Sequence, residues 1–271
     1  WQAWIRWEKE FQAKNLASIR QHPVTPAVDV TSQTLGAVSR HFVSADGSKV
    51  YAAVKYPGQV PRLVSISSAT GKVTTLLELK GSAGLRVASV AYDPAGETLF
   101  FTTNNASYRN LEALDLRTGK VRILLQDARI GDLAFNPVDR SLWGIRRNRG
   151  FVILVRVPYP YVEFKTIKAF PFPANASDLD ISPDGTQLSM SYSGLEGGPD
   201  SAWISELRVM NLAALEKGDA TPTHRLRMGS SVPEGFTFSP DGQYLYGSSY
   251  FTGVSNIFRY RLADKALDAV S

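Results

Sequence analysis

The amino-acid sequence predicts an all-β chain: a β-propeller of four-stranded blades with a short N-terminal α-helix. Three observations point there. One turn phrase recurs along most of the chain, a second turn phrase follows its copies, and an amphipathic stretch stands in front of both. Self-similarity at a fixed period marks a repeat architecture and has to be sought before local structure is assigned.

The first phrase is an apolar or aromatic residue, a small polar residue, Pro, an acidic residue and Gly, followed by a β-rich run. It is fullest in Phe238-Ser239-Pro240-Asp241-Gly242, ahead of Gln243-Tyr244-Leu245-Tyr246, and in Ile181-Ser182-Pro183-Asp184-Gly185. Weaker copies are Tyr92-Asp93-Pro94-Ala95-Gly96, Phe135-Asn136-Pro137-Val138-Asp139 and Val43-Ser44-Ala45-Asp46-Gly47. At the proline position (Ala45, Pro94, Pro137, Pro183, Pro240) the steps are 49, 43, 46 and 57 residues, close to the period of a four-stranded blade. Pro sets φ for the first turn position, Asp bonds back to nearby backbone, and Gly supplies a positive φ, so the phrase closes a tight hairpin.

The second phrase is a strand running into another turn. It reads Leu63-Val64-Ser65-Ile66 then Thr70-Gly71-Lys72-Val73, and Leu114-Asp115-Leu116 then Thr118-Gly119-Lys120-Val121. Later versions lie at Leu207 to Leu212 and Ile257 to Leu262. Thr-Gly-Lys is the hairpin tip in two copies. Four strands per repeat, five times over, make a propeller; a sandwich does not repeat one phrase at this spacing.

The Ser-Pro-Asp-Gly phrase and the trailing (Asp/Asn)-Leu-x-x-Gly-Lys phrase resemble the PD40/TolB-like family of WD40-like repeats, which also supplies the propellers of prolyl-oligopeptidase-like enzymes. The resemblance covers about Arg40 to Ser271. It implies the blade type and says little about function, because one fold hosts many. It also implies a ring of six blades and a place in the periplasm, the cell envelope or the secreted fraction. Thr25 to Ser32, with Val28 and Val30 alternating, reads as one orphan strand before five blades, so the expectation is a truncated or open six-bladed ring, with a closed five-bladed ring as the alternative.

Trp1 to Arg20 is predicted to be helical, with Trp1, Trp4, Ile5, Trp7, Phe11, Leu16 and Ile19 on a broad apolar stripe. His22-Pro23 ends it, since the residue before proline avoids helical backbone. The division expected is helix and linker over 1–23 and propeller over 24–271. The stripe is expected to pack on the propeller rim or on an upstream domain. A membrane-surface role is disfavoured, because the polar face mixes acids and bases.

Bulk properties exclude several classes. With hydrophobic residues at 44% and charged residues at 20% of 271, the chain is not disordered. The net charge of +5 is scattered, so no nucleic-acid footprint is expected. No cysteine is present, which removes disulfides, thiolate metal sites and a cysteine nucleophile. No apolar run reaches the roughly 18 residues of a membrane span. The chain opens on Trp1 and stops at Ser271 within its pattern, so it reads as part of something longer, possessing a catalytic or barrel domain elsewhere in one reading.

Catalytic motifs are missing. The three histidines, His22, His41 and His224, have no metal-type spacing; there is no Gly-x-Ser-x-Gly elbow, P-loop or dinucleotide fingerprint. No catalytic residue, metal or cofactor is expected, and the chain is read as a non-enzyme. Asn105-Ala106-Ser107 and Asn175-Ala176-Ser177 match a glycosylation sequon too short to carry weight.

Two sets of residues remain as candidates for recognition. Asp132 and Asp178 share a repeat position at the entry to the innermost strand, with Glu234 one residue earlier in its own repeat. Acids there suit a cation or a peptide's basic group, or else cap loops through bonds to backbone N–H. Loops joining second to third strands open on the same rim: Tyr108-Arg109, Arg146-Arg147-Asn148-Arg149, Gly194 to Asp200, and Tyr250-Phe251. Aromatic and basic loops are where propellers meet partners. The leading expectation is a non-catalytic module of a bacterial envelope protein that binds a protein or peptide by its loop face or channel mouth. The alternatives are a propeller gating substrate for a larger secreted peptidase, and a metal-dependent lactonase using Asp132, Asp178 and Glu234.

Overall fold

The turn phrases fold as their chemistry requires. In 182–187 the Gln187 N–H donates to Ser182 Oγ at 2.9 Å, the Thr186 N–H donates to Asp184 at 3.1 Å, and Gly185 takes a φ of 69°. The same pattern recurs at Ser239, Asp241 and Gly242, and at Ser44, Asp46 and Gly47. Gly71 and Gly119, the Thr-Gly-Lys tips, have φ of 66° and 69°. These are left-handed positions that glycine occupies without steric cost.

The computed structural model describes residues 1–21, 25–79, 84–104, 109–196 and 202–270. After helix α1 (Gln2–Ile19) come five antiparallel blades. Blade one holds β1 (Ala37–Val38), β2 (Phe42–Val43), β3 (Lys49–Lys55), β4 (Arg62–Ser67) and β5 (Val73–Glu78); β1 and β2 both pair with β3, as two halves of one broken inner strand. Blade two is β6 (Gly84–Asp93), β7 (Thr98–Asn104), β8 (Leu111–Asp115) and β9 (Val121–Leu125). Blade three is β10 (Ile130–Phe135), β11 (Leu142–Asn148), β12 (Phe151–Val157) and β13 (Lys165–Phe170). Blade four is β14 (Asn175–Ile181), β15 (Gln187–Glu196), β16 (Ala202–Asn211), the short helix α2 (Leu212–Glu216) and β17 (His224–Leu226). Blade five is β18 (Glu234–Phe238), β19 (Tyr244–Ser249), β20 (Asn256–Arg261) and β21 (Leu267–Ala269).

The core lies between successive blades, because adjacent sheets bury the faces they turn to each other. Tyr51 and Leu63 of blade one meet Val90 and Phe101 of blade two; Phe100 meets Ile130 and Val155 of blade three. Trp143 and Leu154 meet Leu188 and Met190 of blade four, and Leu207 and Val209 meet Phe236 and Phe258 of blade five. Fully burying such side chains contributes about 1.5–3 kcal/mol each.

Two expectations change. The orphan strand is not formed: residues 25–36 run as an extended strap with no strand in it. The Thr25 N–H donates to Asn256 Oδ1 at 3.3 Å, and Thr25 Oγ1 accepts the Ile257 N–H at 3.2 Å. Pro26 has no N–H to give a ladder, and Val28 and Val30 are exposed. The strap then passes Gly71, where a Cβ would stand 2.6 Å from the Val30 carbonyl oxygen, and Leu35 packs on blade one. Alternation in sequence shows that a strand is possible; a partner ladder has to be beside it. The second change concerns α1. Ile19 lies against Gly253 on the β19–β20 turn, while Trp1, Trp4, Trp7 and Phe11 are exposed and stack on one another in pairs. The aromatic stripe therefore does not cover the rim. His22-Pro23 lies outside the described residues.

Candidate functional site at the channel mouth

Antiparallel order puts the Pro-Asp-Gly and Thr-Gly-Lys turns at one end of the blades. The blade-to-blade connections and second-to-third strand turns lie at the other end, the mouth face. Here the inner strands of blades three, four and five carry the same irregularity. Their pairing slips between Gly131 and Ala134, Ser177 and Asp180, and Glu234 and Thr237. Asp132, Asp178 and Gly235 fill the slip with φ of 50°, 55° and 61°. Asp and Gly tolerate left-handed backbone better than other residues. The acids that share a repeat position thus have a backbone reason to be there, and in blade five Gly235 takes that place with Glu234 beside it.

These residues line a cavity of about 510 Å³ together with Arg40, His41, Tyr246 and Ile257. Asp178 is half-buried, Glu234 is exposed, and Asp132 is buried with its carboxylate 3.6 Å from Arg147. The Asp132 N–H donates to Ser89 Oγ at 3.2 Å. A second cavity, of about 390 Å³, lies further along the channel among Phe42, Pro94, Pro137 and Pro183. Arg40 and His41 border both. Arg40 donates to the Leu179 carbonyl and to the Asp180 carboxylate, with its guanidinium 5.3 Å from the centre of the Phe42 ring. The other Asp180 oxygen accepts the Phe238 N–H at 2.7 Å. This set of bonds forms a floor between the two cavities.

The predicted basic loop turns out to be strand. Arg146 and Arg147 lie on β11, and Arg149-Gly150, both at positive φ (49° and 84°), are the two turn residues leading into β12. Such a turn matches the twist of the flanking strands. Arg146 donates to the Ala128 carbonyl at 3.2 Å and lies over Phe164. Arg147 donates to Asn175 Oδ1 at 2.7 Å and to the Ala176 carbonyl at 3.1 Å, tying blade three to blade four. Arg149 is exposed. Arg109 is half-buried and its N–H donates to Asp127 at 3.4 Å. Tyr250 and Phe251 are exposed on the mouth face. Tyr108, the sequon at Asn105 and the tip 197–200 lie outside the described residues. His224 sits on outer strand β17, with Nε2 3.1 Å from the Leu262 carbonyl oxygen.

Topology gathers further apolar groups on this face. Phe151, Phe172, Leu195, Trp203 and Val232 are exposed there beside Tyr250 and Phe251. Among the described residues, no group of three or more His, Asp or Glu is placed to hold a metal ion, and no helix is long and apolar enough to cross a membrane. Arg40 and Asp180 were not singled out in the sequence, although a signal was available. Aligned on the turn phrase, Arg40 stands where other repeats have Ser89, Asp132, Asp178 and Gly235, and Asp180 where they have Phe42, Ala91, Ala134 and Thr237.

No family model and no curated protein matches the chain. Solved structures do. A putative TolB from Agrobacterium tumefaciens aligns with a TM-score of 0.66 at 12% identity, over 88% of this chain and 82% of that one. TolB from Acinetobacter baumannii aligns with a TM-score of 0.59 at 16% identity, over 85% of this chain and 52% of that one, so the alignment spans about half its length. An oligogalacturonate lyase from Vibrio parahaemolyticus aligns with a TM-score of 0.60 at 12% identity, over 84% of this chain and 64% of that one. Blade architecture, turn phrases and structural neighbours agree on the fold: a β-propeller of four-stranded blades, similar to the TolB structures.

Proposed function

We propose that the chain is a non-catalytic recognition module of a bacterial envelope protein, binding a protein or peptide across the mouth face. One observation carries this reading: a cavity of about 510 Å³ with Asp178 and Glu234 at its entrance, ringed on the same face by exposed Phe151, Phe172, Trp203, Tyr250 and Phe251. Exposed apolar groups around a largely apolar pocket that carries a few carboxylates are the composition of a partner site. The carboxylates suit a basic side chain or an N-terminal amine of the partner, and the aromatic rim suits its apolar flanks. The likeness to TolB structures supports binding and an envelope location.

The test is fluorescence anisotropy with peptides that carry one Lys or Arg between apolar residues, against the same peptides with Gln in its place. Basic peptides should bind, and Asp178→Asn with Glu234→Gln should weaken them about tenfold. Equal affinity for basic and neutral peptides sinks the proposal.

The alternative, a propeller gating substrate for a catalytic domain of a larger peptidase, is favoured by the exposed Trp4-Trp7-Phe11 side of α1, a surface suited to a second domain. Reading the flanking coding sequence for a catalytic motif decides it.

A further inference from the structure

The residue that opens each turn phrase has a second use. Val43, Tyr92, Phe135, Ile181 and Phe238 stand two positions before the turn proline position in the five repeats. All of them line the cavity of about 390 Å³ on the far side of the Arg40–Asp180 floor. Pro94, Pro137 and Pro183 of the same phrases line it as well, so it opens on the end of the blades that carries these turns, away from the mouth face. A space of this size with mostly apolar walls and a few convergent polar groups is the usual form of a small-molecule site.

Its walls suit a flat, uncharged body. Phe42 and Tyr92 form a tilted pair with ring centres 6.3 Å apart, and Phe135 and Phe238 are half-buried. Burial pushes the Tyr92 phenol up to about 12, so this wall carries no charge. At the floor Arg40 is neutralised by Asp180. A cation finds no free carboxylate there, since one Asp180 oxygen is held by Arg40 and the other by the Phe238 N–H. His41 and Thr237 stand beside this pair; among the described residues their side chains make no hydrogen bond, which leaves them for a polar atom of a ligand. The inner turns around the opening carry the exposed carboxylates of Asp46, Asp184 and Asp241. Serine hydroxyls lower the pKa of each and keep it ionised, while Arg140 and Arg156 are paired with Asp93 and Asp139. An anion therefore approaches this end against net negative charge.

We propose that this cavity is a second binding site, separate from the mouth face, for a small uncharged aromatic compound. The ring of the ligand lies among Tyr92, Phe135, Phe238 and the three prolines, and its polar atom bonds to His41 or Thr237. Ring faces packed on aromatic and proline side chains supply the apolar part of the affinity, and the two polar side chains fix the orientation. The Arg40–Asp180 floor keeps the two sites apart, so this ligand enters from the turn end.

Isothermal titration calorimetry with indole and indole-3-acetate as probes tests this. Indole should bind with a Kd of about 0.1–1 mM, and indole-3-acetate at least about tenfold more weakly. Val43 lines this cavity and not the mouth cavity, so Val43→Trp should fill it and abolish indole binding. Pro94→Trp repeats the measurement if Val43→Trp does not fold. Val28→Trp, on the exposed part of the strap, should leave binding unchanged. His41→Phe combined with Thr237→Val keeps the volume, removes the polar partners and should weaken indole about tenfold. No binding of indole, equal affinity for indole-3-acetate, or binding that survives the filled cavity or the double variant undiminished overturns the proposal.

Discussion

Arg40, at the break between β1 and β2, reaches Asp180 on β14, and Asp180 turns its second oxygen to the Phe238 amide of blade five at 2.7 Å. Blade one is thereby joined on the channel axis to blades four and five, neither of which directly follows it in sequence. Asp180→Ala leaves a guanidinium and a backbone N–H without this acceptor in a site about four-fifths buried. The predicted loss is about 2–3 kcal/mol, read from urea unfolding. A double-mutant cycle with Arg40→Met should show coupling of about 1 kcal/mol or more; additive effects would show that the pair does not join the blades.

Asp178 separates backbone need from carboxylate chemistry. Its φ of 55° suits glycine, so Asp178→Gly should keep or slightly raise stability, whereas Asp178→Val should cost about 1–2 kcal/mol. Both variants remove the carboxylate. If the acid recognises a basic group, both bind the Lys and Arg peptides more weakly. Weak binding by the valine variant alone would instead mean that only backbone geometry matters.

Glu206 is fully buried, with Arg208 at 2.7 Å and Arg227 at 2.9 Å, and Arg208 lies over the Tyr192 ring. Removing a buried carboxylate strands its cations, so Glu206→Ala should cost about 3–5 kcal/mol. Glu196 is over a third exposed although it pairs with Arg225 and Arg227, and Glu196→Ala should cost less than about 1 kcal/mol. Equal losses in thermal melts would contradict this ranking.

The turn aspartates set an acid limit. The Ser44 hydroxyl, with help from Ser48, holds the Asp46 carboxyl down to about 2; Ser182 and Ser239 lower Asp184 and Asp241 in the same way. A carboxyl depressed on folding stabilises the protein above its unfolded pKa, about 3.9, and that contribution fades as pH falls through the folded value. The urea midpoint should therefore be flat above about pH 5 with respect to these groups and fall between about pH 4 and 2. Changing Ser44, Ser182 and Ser239 to Ala should flatten that fall. An unchanged slope in the triple variant would place the acid sensitivity elsewhere.

The parts legible in the sequence are those made by neighbours along the chain. Ser182, Pro183, Asp184 and Gly185 close their hairpin within six residues, and Gly71 and Gly119 do the same at the outer turns. Five copies of such local chemistry mark five blades and their order, and α1 follows from its own periodicity. What tertiary structure decided depends on residues far apart in sequence. Arg146 and Arg147 looked like a loop for partners, yet Arg147 is drawn onto the Asn175 side chain and the Ala176 carbonyl. Thr25 to Ser32 has the alternation of a strand, but Thr25 meets blade five and Val30 passes blade one with no ladder between them. The Arg40–Asp180 floor and the cavity it closes arise only when separate repeats face one another. A repeat phrase encodes how each blade turns, because a turn bonds to itself; the contents of the channel are set by what each blade presents to the others.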